Sequence, residues 1–261
     1  MRSSVLAICL LTLCSCCKVK QVNFKKSTET TDYNVLSEEF LLRLKKGEDT
    51  EEIRNTLANM TIDELDKVLG SDTQRLAFWL NIYNAYIQVI LTEHPEYYDD
   101  RSDFFSREQI PLAGQTISFS KIEHGIIRKS QWELGLGYFR KAFPDKFERK
   151  LRVNKRDYRV HFALNCGAKD CPPVAIYTPE RLEEQLSNAT KTYLKNSSDY
   201  SARTNTVAVT SLFSWFRGDF GGKKGVKRIL NEHDIIATIK GVDLTYKDYD
   251  WTLALNNFID L

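Results

Sequence analysis

A chain of 261 residues can bury one sizeable core or two small ones, and 42% hydrophobic with 28% charged residues is a globular balance that excludes a disordered or fibrous chain. Its formal charge is only +2, with acids and bases interspersed, so electrostatics gives no reason to expect a nucleic-acid partner. The basic stretch from Lys141 to Arg159 is broken by Asp145, Glu148 and Asp157, which reads as a solvated face rather than a phosphate site.

The chain begins with Arg2 and a short apolar run from Val5 to Leu13, too brief to span a bilayer as a helix. Leu13-Cys14-Ser15-Cys16 follows and resembles the bacterial lipobox. That resemblance implies a signal peptide over residues 1–15, cleavage before Cys16 and acylation of the Cys16 thiol and amino group. The expected location is the bacterial cell envelope, in the outer membrane of a Gram-negative cell, with the lipid as membrane partner. Residues 16–34 are polar and rich in Lys, Ser and Thr, as a flexible tether would be, and residues 35–261 are expected to form a single globular domain. Of the six cysteines, only Cys166 and Cys171 then belong to the domain, in a compartment where a bridge between them can persist.

Along the domain, amphipathic periodicity predicts helices over Val35 to Lys46 and Thr50 to Ala58. Thr61-Ile62-Asp63-Glu64 has the form of a capping box opening a third helix. A long helix from Thr73 to about Glu93 is apolar nearly all round, so it should lie in the centre of the domain. Asn81, Asn84 and Gln88 form a polar stripe along it, which must either bond the backbone of a neighbouring segment or face a site. A short strand is predicted at Thr116 to Phe119. Ser120-Lys121-Ile122-Glu123 has the form of a second capping box, opening a helix from Lys121 to Lys129. Tyr158 to Cys166 reads as a buried strand, followed by a loop to Pro173. Thr178-Pro179-Glu180 has the composition of a helix start, with the helix running to about Leu194. A strand at Thr206 to Val209, a helical turn within Ser211 to Phe220, a helix over Gly225 to Asn231 and a terminal strand over Asp250 to Leu255 complete the reading. The class is α+β in one domain, a central buried helix with a small mixed or antiparallel sheet.

Several separated segments carry a family resemblance. They are Phe78 to Ala85, Ile122 to Arg128, Val160 to Cys166 with Cys171-Pro172-Pro173, Tyr177 to Glu180, and Tyr249-Asp250-Trp251. In this order they resemble the signature segments of DUF547, a domain family of unknown function, over roughly residues 70 to 255. The resemblance implies a bacterial lipoprotein as one common setting and no settled activity. Part of that family has a small residue at the position of Cys171 while keeping the cysteine at Cys166, which argues against an obligatory disulfide.

On chemical grounds Cys166 is the candidate nucleophile, a thiol beside a Gly-containing loop that a neighbouring imidazole could activate. His161 and His124 are the candidate bases; His94 and His233 sit at helix ends and read as surface residues. Asn165, Glu123 and Asn84 are candidate orienting groups, although Glu123 has an alternative explanation as a capping carboxylate. Arg128, four residues after His124, suits an anionic or carbonyl group. A zinc set of Cys166, Cys171, His124 and His161 is a weaker alternative, because only two of the ligands lie close in sequence. No nucleotide, metalloprotease or nucleophile-elbow motif is present, and no cofactor is expected. The competing functions are a thiol-dependent hydrolase or acyltransferase and a non-catalytic binding or scaffolding module for a protein or small molecule. Asn81, Asn84, Glu123, His124, Arg128, His161, Asn165 and Cys166 are expected to converge on one concave site, since each is a polar or reactive group in an apolar run.

Overall fold

The structure is a computed structural model that describes residues 32–261. Cys16, the expected signal peptide and all but the last residues of the expected tether therefore lie outside the described residues.

Helix α1 (Tyr33–Lys46) starts where the Asp32 carboxylate accepts the backbone N–H groups of Asn34 and Val35, and it ends on the left-handed Gly47. Two short helices, α2 (Glu51–Asn59) and α3 (Ile62–Val68), follow, the second opened by the expected Thr61–Glu64 capping box. Helix α4 (Asp72–Glu93) begins one turn before its apolar run, because Ser71 and Gln74 form a further capping box. Phe78, Trp79, Leu80, Ile82 and Ile87 on it are fully buried. Burial of each such aliphatic or Phe side chain contributes about 1.5–3 kcal/mol, so α4 is the axis of the larger hydrophobic cluster. It packs against α1 and against the segment at residues 121–127.

Beyond α5 (Arg101–Ser106), strands β1 (Ile110–Leu112) and β2 (Gln115–Ile117) form an antiparallel hairpin over the turn at Ala113 and Gly114. Helix α6 (Lys146–Leu151) is capped by Asp145. Helix α7 (Leu182–Ser197) begins four residues after Thr178: residues 178–181 make a turn instead, and Gln185 holds it by accepting from the Thr178 N–H and donating to the Ile176 carbonyl. Strands β3 (Asp199–Ser201), β4 (Thr206–Val209) and β5 (Asp243–Tyr246) make a mixed sheet, β3–β4 antiparallel and β4–β5 parallel. Between β4 and β5 lie α8 (Leu212–Trp215) and α9 (Gly222–Glu232). Val207 and Val209 of β4 belong to a second, smaller hydrophobic cluster with Phe162, Tyr193, Phe213 and Leu230. The architecture is α+β.

Three expected elements differ. Tyr158–Phe162 is a 3-10 turn capped by Asp157, not a strand. Its apolar residues are divided between the two clusters, Val160 in one and Phe162 in the other, and a turn rather than a flat strand allows that. The segment Asp250 to Leu255 is extended but makes only an isolated bridge, Leu253 to Ala168, and donates Ala254 N–H to the Gly167 carbonyl. Residues 121–127 form a π-helix rather than an α-helix, with Arg128 N–H bonded to the Glu123 carbonyl five residues back. No helix among the described residues is long and apolar enough to cross a membrane.

Candidate functional site

The polar stripe of α4 bonds backbone. Asn81 donates to the Tyr177 carbonyl at 2.8 Å and accepts from the Tyr177 N–H at 2.9 Å. Asn84 donates to the Ala163 carbonyl at 3.0 Å and accepts from the Asn165 N–H at 2.8 Å. Gln88 accepts from the Asn256 N–H at 2.8 Å. The Asn165 amide in turn donates to the Pro172 carbonyl at 2.7 Å and accepts from the Gly167 N–H. These amides replace the hydrogen bonds of a missing strand neighbour, fixing the loops on either side of Cys166 to the central helix. Asn84 and Asn165, expected near the chemistry as orienting groups, are buried and hold backbone around it; neither lines the cavity described next.

Four of the other candidates do meet, while Arg128, expected with them, does not line the cavity and reaches it only through its bond to His124. Glu123, His124, His161 and Cys166 line one cavity of about 170 Å³, together with Ser120, Glu133 and the rings of Tyr83, Trp215, Phe216, Tyr249 and Trp251. That volume is close to the roughly 150 Å³ known to admit a benzene-sized ligand. Trp215, Tyr249 and Trp251 pack on one another with ring centroids 4.8–5.5 Å apart, giving one wall a rigid aromatic face.

Glu123 reaches the cavity because it caps nothing. Ser118, not Ser120, accepts the Lys121 N–H, and Ser120 Oγ donates to Glu133 Oε1 at 3.2 Å. The π-helix also needs Gly125, since a Cβ there would lie 2.7 Å from the buried Glu148 carboxylate carbon. Burial pushes the Glu123 carboxyl up to about 7, against the pull of Arg128 and with the help of Glu133 and Asp219.

Both imidazoles are neutral for a physical reason. Arg128 Nη1 has only protons to offer, so its bond to His124 Nδ1 fixes the lone pair there and the proton on Nε2, which points toward Glu133 at 3.7 Å. Burial holds His124 well below its ordinary value, and the Arg128 guanidinium adds to this. His161 Nε2 donates to Asp219 Oδ2 at 2.8 Å, which leaves Nδ1 as its basic nitrogen. Burial lowers His161 to about 4, opposed by the bond to Asp219 and reinforced by Arg128 and Arg156. The ring stacks on Phe216 at 4.0 Å between centroids, and the Arg128 guanidinium lies 4.6 Å over the same ring.

Asp219 organises this group. It also accepts from Arg128 Nε at 2.7 Å and from Arg156 Nη1 at 2.6 Å. Burial resists its ionisation, but the bonds from His161 and Arg128 outweigh that and bring the carboxyl down to about 2. Sequence reasoning missed Asp219, placing it in a helical turn. The available signal was an acid flanked by Gly218, Gly221 and Gly222 in an aromatic segment. A Cβ on Gly137 would lie 2.7 Å from Asp219 N, and one on Gly218 would lie 2.5 Å from the Gly137 carbonyl carbon. The two glycines let two loops touch and so set the carboxylate in place.

Cys166 and Cys171 form a disulfide, with Tyr249 Oη 3.4 Å from the Cys171 sulfur. The bridge leaves Cys166 without a thiol in this state, and it occupies both sulfurs of the alternative zinc set. Among the described residues no group of three or more His, Cys, Asp or Glu side chains is arranged to hold a metal ion. His94 pairs with Glu96 on the surface, and His233 caps α9, as expected of helix-end residues.

The sequence model of DUF547, described as a protein of unknown function, matches residues 69–194, the span that holds α4, the π-helix and both cysteines. That match supports the domain family. No curated protein and no solved structure matches the chain.

Proposed function

We propose, taking the DUF547 match as the premise, that this is a lipid-anchored protein of the bacterial cell envelope whose domain performs thiol-dependent acyl transfer or hydrolysis. Cys166 is the nucleophile, His161 its base and Asp219 the group that orients the base. The observation that carries the reading is that His161 lines the same cavity as Cys166 and bonds Asp219 at 2.8 Å through its other face. The bridged form is latent. A dithiol reductant opens the bridge by exchange, becoming oxidised as both cysteines become thiols. The Cys166 thiol then passes its proton to His161 Nδ1 as its sulfur adds to an acyl carbonyl carbon, so no standing thiolate is required of an imidazole held at about 4. The imidazolium, stabilised by Asp219, returns the proton to the leaving group as the acyl–thioester forms. Water, or an acceptor hydroxyl or amine, releases the acyl group by the same path in reverse. Glu123, protonated in part at neutral pH, supplies a hydrogen-bond donor to the cavity.

Alkylation of the reduced protein with iodoacetamide at neutral pH, mapped by mass spectrometry, tests this. Cys166 is expected to be labelled ahead of Cys171, and roughly tenfold more slowly in His161→Ala. Equal rates in the two proteins would remove the nucleophile assignment.

The closed Cys166–Cys171 bridge favours a second reading, a non-catalytic module whose cavity binds a small ligand or a partner's side chain. The anchor itself is supported by Leu13-Cys14-Ser15-Cys16, whose Cys16 is placed where acylation requires it.

A further inference from the structure

Six of the ten exposed large hydrophobic side chains among the described residues fall within residues 132–143, so their exposure is a property of one loop rather than surface scatter. They are Trp132, Leu134, Leu136, Tyr138, Phe139 and Phe143, the last 95% exposed. The loop is not an unstructured excursion. Trp132 N–H bonds the Phe139 carbonyl at 2.9 Å, Tyr138 N–H bonds the Gly135 carbonyl, and Gln131 bridges Arg140. Its far side is tied to the Asp219 loop, with Gly218 N–H bonding the Leu136 carbonyl at 2.8 Å and Arg156 bonding the Gly137 carbonyl at 3.0 Å. Backbone bonds thus hold the apolar tips outward, where collapse onto the domain would otherwise cover them.

From this geometry we infer that the loop 132–143 inserts into the interfacial region of an anionic lipid membrane. The inference rests on the lipid-anchor reading, because an acylated Cys16 keeps the domain within reach of a bilayer. Three observations select a lipid surface as the occupant. The exposed set is rich in Trp, Tyr and Phe, the side chains that settle at the headgroup boundary. Arg140 within the loop and Lys146 just beyond it are exposed and make no salt bridge among the described residues, so their charge is available to anionic headgroups. Glu133, the one acid of residues 132–144, is half exposed, but its carboxylate is turned to the cavity side, where it accepts from Ser120 Oγ at 3.2 Å.

The full chain, lipidated and reconstituted in vesicles of phosphatidylethanolamine with a minority of phosphatidylglycerol, provides the test. Flotation of the vesicles reads the anchor alone. Bromine on the acyl chains then quenches tryptophan emission only where an indole enters the bilayer. The expected result is quenching in the wild type that is lost in Trp132→Phe, whose circular dichroism is unchanged. A chain that floats with the vesicles but shows no quenching, or equal quenching in Trp132→Phe, overturns the loop assignment and leaves the anchor standing. A chain that fails to float overturns the anchor. In that case quenching by added vesicles, lost in Trp132→Phe, would still uphold the loop, and its absence would sink it. A concentration-dependent dimer that hides Trp132 from vesicles would assign the patch to a second copy instead.

Discussion

Two sets of buried polar side chains lie within this domain, and they differ in what they bond. The amides of α4 face the backbone of segments around residues 163–165, 177 and 256, and each supplies what a strand partner would have supplied. Their donors and acceptors are committed to neutral backbone groups, so they fix loops. The ionisable set of Glu123, His124, Arg128, His161 and Asp219 bonds chiefly within itself, and three of its members, Glu123, His124 and His161, line a cavity. Such a network retains uncommitted capacity: the Nδ1 of His161, the Glu123 carboxyl and an unbonded Nη2 on Arg128. Burial without free capacity builds structure, whereas burial with it makes a site.

The difference can be measured, and the largest effect is expected at Asp219. Replacing it with Ala leaves Arg128, only 2% exposed, without its carboxylate. The expected loss is about 3–5 kcal/mol in urea unfolding, because an unpaired buried charge remains. A loss smaller than that of an amide variant would mean that water already screens the network.

Asn84→Ala comes next. It orphans the Ala163 carbonyl and the Asn165 N–H, both in the core, and should lower stability by about 1–3 kcal/mol. An unchanged urea midpoint would show that those loops are held by something other than the amide.

The third effect is of similar size at most and depends on pH. Glu123 has a folded value of about 7, above that of the unfolded chain. Its neutral form is favoured by the fold, so its contribution is fully present below about pH 4.5 and is lost as pH rises to about 7. His161 acts in the opposite sense: its folded value of about 4 means stability falls as pH drops from about 6.5 toward 4. The wild type alone therefore mixes the two slopes. The difference between Glu123→Gln and wild type isolates Glu123, and it should grow in favour of the variant between about pH 4.5 and 7, then level, at about 1–3 kcal/mol. A difference independent of pH would mean that Glu123 is solvated and belongs to neither set.

What the sequence determined by itself was whatever depends on near neighbours along the chain. The apolar run of α4, the Thr61–Glu64 box and the β4 segment were specified by periodicity and capping chemistry within a few residues. The polar residues embedded in apolar runs were equally visible, and four of the named candidates do share a cavity wall. Local pattern misled where tertiary packing outweighed it. Val160 and Phe162 lie in different cores, so a stretch with strand composition became a 3-10 turn. Ser118 displaced Ser120 at the start of the π-helix, which released Glu123. Only the tertiary structure could supply Asp219, because its partners His161 and Arg128 lie 58 and 91 residues away and no periodicity extends that far. Whether Cys166 and Cys171 bridge was likewise left open by a spacing that also fits free thiols. The packing of the C-terminal segment at Tyr249 to Ala254 against residues 167–171 brings that loop into the conformation in which the two sulfurs meet.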